Sequence, residues 1–327
     1  MDPARATLRR ARAAARAEAW QTSERLFDEA ARLGAAEGRP EVATAAERGL
    51  ARARVLQGRT TEAIALYRGA SRATRDRREA IIARTGVGNA HGLQGRWADA
   101  ERWYLAAWER CRDGDVRLRG QLYANLSMAA REQGRLADAA AWLDRARATA
   151  PRLATDDRSV VHNNEGLLLL ARGDDAAALE AFARALELAP GHFDAAMIHD
   201  NRVEVELRRG AFDAAERASD AARAEAIASG SARAQCEVLT RRARVLRMSG
   251  ELDAAAREID LALERAGHGW FPLAEGGAWH EAARLARAGG DAFGVRQSLE
   301  TAIQLYLDAD APKLAACARR ELSLPAA

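Results

Sequence analysis

The sequence predicts an all-α solenoid, a single array of about eight antiparallel helix pairs followed by a C-terminal capping helix. Three observations carry that expectation. A pattern of small residue, Gly, Ala, apolar residue and Ala returns along the 327 residues, with turn positions 37 to 40 apart. Aromatic residues make up only 5% of the chain and Pro occurs seven times, a composition that suits closely packed helices better than sheet. No run alternates apolar and polar residues with the period of two that a half-buried strand requires.

The unit is stated most fully in the stretch from Asn163 to Pro190, NNEGLLLLARGDDAAALEAFARALELAP. Its first helix runs through LLLLAR and stops at Gly173, where a residue free to take positive φ can close a helix C-terminus. Asp174 and Asp175 restart the chain, because a short carboxylate caps bare N–H groups and sits at the positive end of the new helix dipole. Gly166, Ala178 and Ala185 are small where helices must approach closely, Phe182 fills the seam, and Pro190 ends the second helix.

The same template fits elsewhere. A weak first copy lies on Ala11, Ser23, Phe27 and Ala30, with Glu18 in place of the turn Gly. The next copies are Gly58, Ala63, Tyr67 and Ala70, then Gly88, Gly95, Ala100, Tyr104 and Ala107, then Ser127, Gly134, Ala139, Leu143, Ala146 and Pro151. Beyond the central unit come Gly210, Ala215 and Ala222, then Gly250, Ala255, Ile259 and Ala262, then Gly290, Leu299 and Ala302. This sequence of small, Gly, Ala, aromatic, Ala and Pro resembles the tetratricopeptide repeat, with units longer than its common ~34 residues. The lengthened units are similar to those of kinesin light chains, of bacterial Rap-type peptide-pheromone receptors and of MalT-like sensor arms. We set the units at 4–43, 44–80, 81–119, 120–158, 159–195, 196–235, 236–275 and 276–311, in one continuous array. The resemblance implies a right-handed superhelix whose first helices line a concave, protein-binding face, in a bacterial protein.

At the N-terminus, MDPARATLRRARAAARAEAW is Arg-rich but runs unbroken into a helical pattern, so it reads as a capping helix rather than a targeting segment. The first 80 residues hold 17 Arg against 11 acidic residues, a mild asymmetry in a chain of net charge +3. Positive charge is almost wholly Arg, Lys313 being the one Lys. No apolar run could span a bilayer, and a soluble, cytoplasmic protein is expected. Cys111, Cys236 and Cys317 are odd in number and far apart, as reduced packing residues rather than a disulfide framework or metal site.

The links between units are short and polar, as around Asp113 and Ser231. The longer AGHGWFPLAEGG, 266–277, clusters Gly around Trp270 and Phe271; Trp270 either packs under its own loop or is offered to a partner. After it, Pro312 starts a helix over 312–322 with Leu314, Cys317 and Leu322 on its expected apolar face, the cap that an open array end needs.

Catalytic constellations are missing from the sequence. His91, His162, His192, His199, His268 and His280 are scattered without ligand spacing, HEAAR at His280 lacks a second His, and GVGNAH around Gly88 puts His91 at the third Gly position of a dinucleotide fingerprint with no strand before it. No P-loop or nucleophile elbow is present. We therefore expect no enzyme, no cofactor and no metal.

The concave surface remains. Unit positions 2, 5, 6, 9 and 12 to 13 keep to one helix face and project inward. The middle of the groove then reads Gln121, Asn125 and Met128, next Val160, Asn163, Asn164 and Leu167, next Met197, Asp200, Asn201 and Glu204. Asn recurs at position 6 in Asn125, Asn164 and Asn201. An amide donates and accepts, so such a row either grips an extended peptide backbone, as groove Asn residues do in the families it resembles, or ties neighbouring helices together. Toward the C-terminus the wall becomes basic in Arg241, Arg244, Arg247, Arg284 and Arg287, as do Arg48 and Arg52 near the N-terminus. Those guanidinium groups either attract an acidic or C-terminal peptide segment or pair with Asp200, Glu237 and Glu281. Without interleaved aromatics the wall does not suit nucleic acid. The expected peptide-binding residues are thus Asn125, Asn163, Asn164, Asn201, Arg241, Arg244 and Arg284, in a scaffold or adaptor, or alternatively in a ligand-sensing regulator acting through a separate partner.

Overall fold

The computed structural model describes residues 2–17, 19–56, 59–111, 115–189, 191–267, 271–309 and 311–324. The expected turn residues Glu18 and Gly58, the link residue Asp113, the helix-ending Pro190, and His268, Gly269 and Trp270 of the irregular stretch lie outside the described residues. Among the described residues there are seventeen α-helices, one short 3-10 helix and no strand. The helices pair as α1 Pro3–Arg16 with α2 Trp20–Ala36, α3 Pro40–Leu56 with α4 Thr60–Ala73, α5 Arg77–Leu93 with α6 Trp97–Cys111, and α7 Val116–Glu132 with α8 Leu136–Thr149. They continue as α9 Thr155–Arg172 with α10 Asp175–Glu187, α11 His192–Arg208 with α12 Phe212–Ala228, α13 Ala232–Met248 with α14 Leu252–Gly267, and α15 Pro272–Ala288 with α16 Ala292–Asp308. α17, Pro312–Leu322, closes the array.

The turn inside a pair is built as its residues dictate. Gly173 sits at φ 86°, a left-handed state that a side chain resists, and it closes α9 with bonds from its own N–H to the Leu170 carbonyl and from Asp174 N–H to the Leu169 carbonyl. The same state recurs at Gly95, Gly134, Gly210, Gly250 and Gly290, the expected turn positions of their units. Asp174 then accepts from Ala177 N–H at 3.1 Å and starts α10. Asp76, Asp115, Ser231 and Asp291 cap other helices in this way.

Each helix packs on its sequence neighbours, and odd-numbered helices of the pairs also touch the next odd-numbered helix, whereas among the described residues no two even-numbered helices make comparable contact. Elements that approach one another at successive steps of a curved stack lie on its inside. The odd helices therefore line the concave wall and the even helices form the convex one. The core is correspondingly local, a string of small clusters such as Ala178, Phe182, Ala185, Ile198 and Val205 at the centre. Ala178, Phe182 and Ala185 are fully buried. Cys111 and Cys236 are buried free thiols, and burial pushes the Cys236 thiol up to about 12.

One detail of the cap departs from the expected face. α17 buries Ala315 and Ala318, while Leu314 is 44% exposed and Cys317 and Leu322 are half-buried. The close approach of α17 to α16 selects the smallest side chains, so the Ala stripe takes the contact. No helix among the described residues is long and apolar enough to cross a membrane.

Candidate functional site

A cavity of about 1180 Å³ occupies the concave side and touches α1, α3, α5, α7, α9, α11 and α13. Its lining drifts along the inner helices. On α3 it includes Arg48, Arg52 and Val55, on α5 Thr85 and Asn89, on α7 Gln121 and Asn125, on α9 Asp157 and Val160, and it ends at Phe193 and Arg233 near the starts of α11 and α13. That drift makes it a diagonal track, suited in shape to an extended chain.

Counting by unit, Arg12, Arg52 and Asn89 all occupy position 9 of their units and all line the cavity. Position 9 is among the inward positions expected from helix geometry, so the signal for Arg12 and Asn89 is present in the sequence.

The Asn row divides. Asn125 lines the cavity and makes no hydrogen bond among the described residues, leaving its amide open to a ligand. Asn164 is buried and donates to the Ala124 carbonyl of α7 at 3.2 Å. Asn201 donates to the Oδ1 of Asn163 at 3.0 Å, which joins α11 to α9. Two of the three position-6 amides thus spend a donor on the neighbouring inner helix.

The C-terminal basic wall is internally matched. Arg241 holds Asp200 at 3.1 Å and Glu204 at 2.9 Å, and Arg244 reaches the same Glu204 at 2.8 Å. Arg247 pairs with Glu281 at 2.6 Å, and Arg284 bridges Glu321 at 2.7 Å and Glu281 at 3.5 Å. Burial raises Asp200 above the usual aspartate range despite Arg241 beside it, whereas the Asp200 charge raises Arg241. These acids take up most of the attraction that a ligand carboxylate would otherwise feel.

The N-terminal half of the cavity is less fully compensated. Arg48 pairs with Glu79 at 2.7 Å, Asp157 with Arg117 at 2.6 Å and with the Gln121 amide at 2.8 Å, and Arg233 with Glu237 at 3.1 Å while lying 5.0 Å over the Phe193 ring. Arg12 and Arg52 have no ion-pair partner among the described residues. Beneath them, burial pushes the Tyr67 phenol up to about 12, opposed by the charges of Arg52 and Arg48.

Among the described residues no three His, Cys, Asp or Glu side chains gather in a way that could hold a metal ion. The histidines stay apart: His91 is buried with neither ring nitrogen partnered, and His280 meets Glu321 at 3.1 Å.

With this geometry in place, the tetratricopeptide repeat family model matches residues 159–192, the central unit of the array. Those residues form a tetratricopeptide repeat, set in an array of like helix pairs. The repeat chain is similar in fold to a Rap protein complexed with competence and sporulation factor, at 13% identity over 98% of this chain and 97% of that one, TM-score 0.62. It is also similar to a signal transduction ATPase with numerous domains from Pyrococcus horikoshii, which carries a tetratricopeptide repeat sensor, at 15% identity over 91% of this chain and 46% of that one, TM-score 0.54. A third likeness is to the APC/C hetero-tetramer Cut9–Hcn1, at 16% identity, TM-score 0.52; it covers 73% of this chain, which spans 42% of the length of that chain. No curated protein matches the repeat chain in sequence.

Proposed function

We propose that this repeat protein is a non-enzymatic scaffold or adaptor of the cytoplasm, which holds an extended segment of a protein partner in its concave groove. The observation that carries the reading is the diagonal cavity across the inner helices, with the open amide of Asn125 at its middle. Repeat arrays bury their core between neighbours and leave a continuous inner wall free for a ligand. Backbone capture by Asn125 and the free donor side of Asn163, supplemented by acid-seeking Arg, suits an acidic or C-terminal peptide. In this reading the attraction comes chiefly from Arg12 and Arg52, with Arg241, Arg244 and Arg284 contributing only what their own acids leave uncompensated. Asn164 and Asn201 then serve by holding the inner helices in register.

A second reading, a peptide-sensing regulator that acts through a separate partner, is favoured by the likeness to the Rap protein, which spans nearly all of both chains. The two readings share the groove and differ in whether occupancy changes the affinity for a third protein.

Selection of random peptides on the full chain tests the shared part. Selected peptides are expected to be rich in Asp and Glu, to lose binding to Asn125→Arg, and to bind Arg12→Ala/Arg52→Ala more weakly with a flatter salt dependence. Peptides that bind Asn125→Arg as well as the unsubstituted chain would move the site off the groove.

A further inference from the structure

The far end of the array comes back to its beginning. Thr60, the first residue of α4, donates its hydroxyl to the carbonyl of Ala309, which follows α16, at 3.5 Å across 249 residues of sequence. The same hydroxyl accepts from the side-chain amide of Gln94, at the end of α5, at 2.9 Å. Thr60, Gln94 and Ala309 are all buried, at 0%, 1% and 1% exposure. Beside them the stem of Lys313 lies over Gly95, so close that a methyl group on that glycine would stand 3.1 Å from Lys313 Cδ.

Neighbour-to-neighbour packing does not produce such a contact. In a solenoid each unit touches the units before and after it, whereas here the second and third pairs meet the last pair and the start of the cap. Eight pairs therefore complete a turn and close on themselves, with the cavity of the groove inside the turn.

The closing contact is also thin. Among the described residues it runs through one chain of polar groups, Gln94 to Thr60 to Ala309, whose last link is near the outer limit of hydrogen-bond distance, and one lysine stem. The side-chain oxygen of Gln94 is buried without a hydrogen-bond partner among the described residues, a cost that opening to water would relieve. Each pair-to-pair seam, by contrast, is a full apolar cluster. Among the described residues the joint between the ends has no such cluster.

We propose that the contact of Thr60 and Gln94 with Ala309, reinforced by Lys313 over Gly95, is a latch that holds the array as a closed ring, and that release of this latch governs access to the groove. The latch concerns entry and does not depend on what occupies the groove. A bulky occupant enters when the ends part, while the individual helix pairs keep their packing.

The test uses the full chain with Cys317→Ser, since Cys111 and Cys236 are buried. Spin labels at Leu93→Cys and Leu314→Cys, both exposed positions next to the contact, report its state. A single narrow, short distance is expected, and Thr60→Arg, which wedges charge and volume into the joint, is expected to broaden and lengthen it at unchanged helix content. A broad distribution without the wedge overturns the proposal even if Thr60→Arg fails to fold. Access is read separately by a Val160→Cys reporter, on a cavity-lining residue 46% exposed. A polymer-bearing maleimide should react several-fold faster when Thr60→Arg is present, with a small maleimide unaffected; equal rates for the polymer reagent would show that the joint gates nothing.

Discussion

Gly166 on α9 and Phe182 on α10 are packed so tightly that a methyl group on the glycine would lie 2.5 Å from ring atom Cε1. Gly88 with Tyr104 and Gly276 with Tyr306 repeat that relationship inside other pairs, while Gly49 with Phe27 and Gly86 with Tyr67 use it between pairs. Because Phe182 is fully buried, its ring has no open space to retreat into. Gly166→Ala is expected to cost ~1 to 3 kcal/mol in urea unfolding, the usual range for overpacking. Phe182→Leu should recover part of that loss when combined with Gly166→Ala, so the double variant should be more stable than the sum of the single losses predicts.

Ala178 extends the same logic along α10. It is fully buried, whereas Ala176 two residues earlier is exposed. Ala178→Leu should lower stability by ~1 to 3 kcal/mol and Ala176→Leu by much less. Ala177 is half-buried and is the poorer comparison. Thermal melts of the two variants that coincided would show that α10 is rotated from the orientation described.

The repeat itself was legible because each unit restates it with local signals: a turn Gly, a capping carboxylate, small residues and a seam-filling side chain within one stretch of sequence. The electrostatics of the groove were harder to read. Arg241 and Asp200 are 41 residues apart, Arg244 and Glu204 are 40 apart, and Arg284 and Glu321 are 37 apart. These separations are one repeat length, so opposite charges at similar positions in adjacent units were the available clue. Whether such charges pair or face a ligand depends on rotamers, which spacing does not determine. The Thr60 to Ala309 contact had no clue at all, since it depends on the cumulative curvature of eight units rather than on any period in the residues.

The divided Asn row gives a sharper experiment than its regular spacing suggested. Asn164 is buried and bonded to the Ala124 carbonyl, so Asn164→Ala removes a bond and leaves that inter-helix contact unmade. A loss of ~1 kcal/mol or more is expected in chemical unfolding. Asn125 faces the cavity with no bond of its own to lose, so Asn125→Ala should leave the unfolding midpoint unchanged while weakening groove peptides. A destabilised Asn125→Ala, or an Asn164→Ala as stable as the unsubstituted chain, would reverse the two roles.

The cap offers a prediction in pH. Glu321 on α17 receives Arg284 at 2.7 Å, Arg287 at 3.6 Å and the His280 ring at 3.1 Å, all three from α15. Burial alone would raise the Glu321 pKa, but its hydrogen bonds to Arg284 and His280 and their charges hold it below the ordinary glutamate value. The unfolded chain therefore takes up this proton at a higher pH than the folded chain does, so the stability from Glu321 is present above the ordinary glutamate value and is lost as pH falls through the lower folded one. His280 works in the same direction. Burial lowers its pKa, so on acidification the unfolded chain binds the proton first and the folded cap is penalised. Glu321→Gln should consequently lower stability at neutral pH and flatten the acid limb of the stability curve, because one group whose proton uptake favours unfolding is gone. Hydrogen exchange locates the effect, with α17 amides expected to exchange faster in the variant while those of α9 and α10 keep their protection. Equal acid slopes for the variant and the unsubstituted chain would mean that Glu321 is not what fastens the cap to α15.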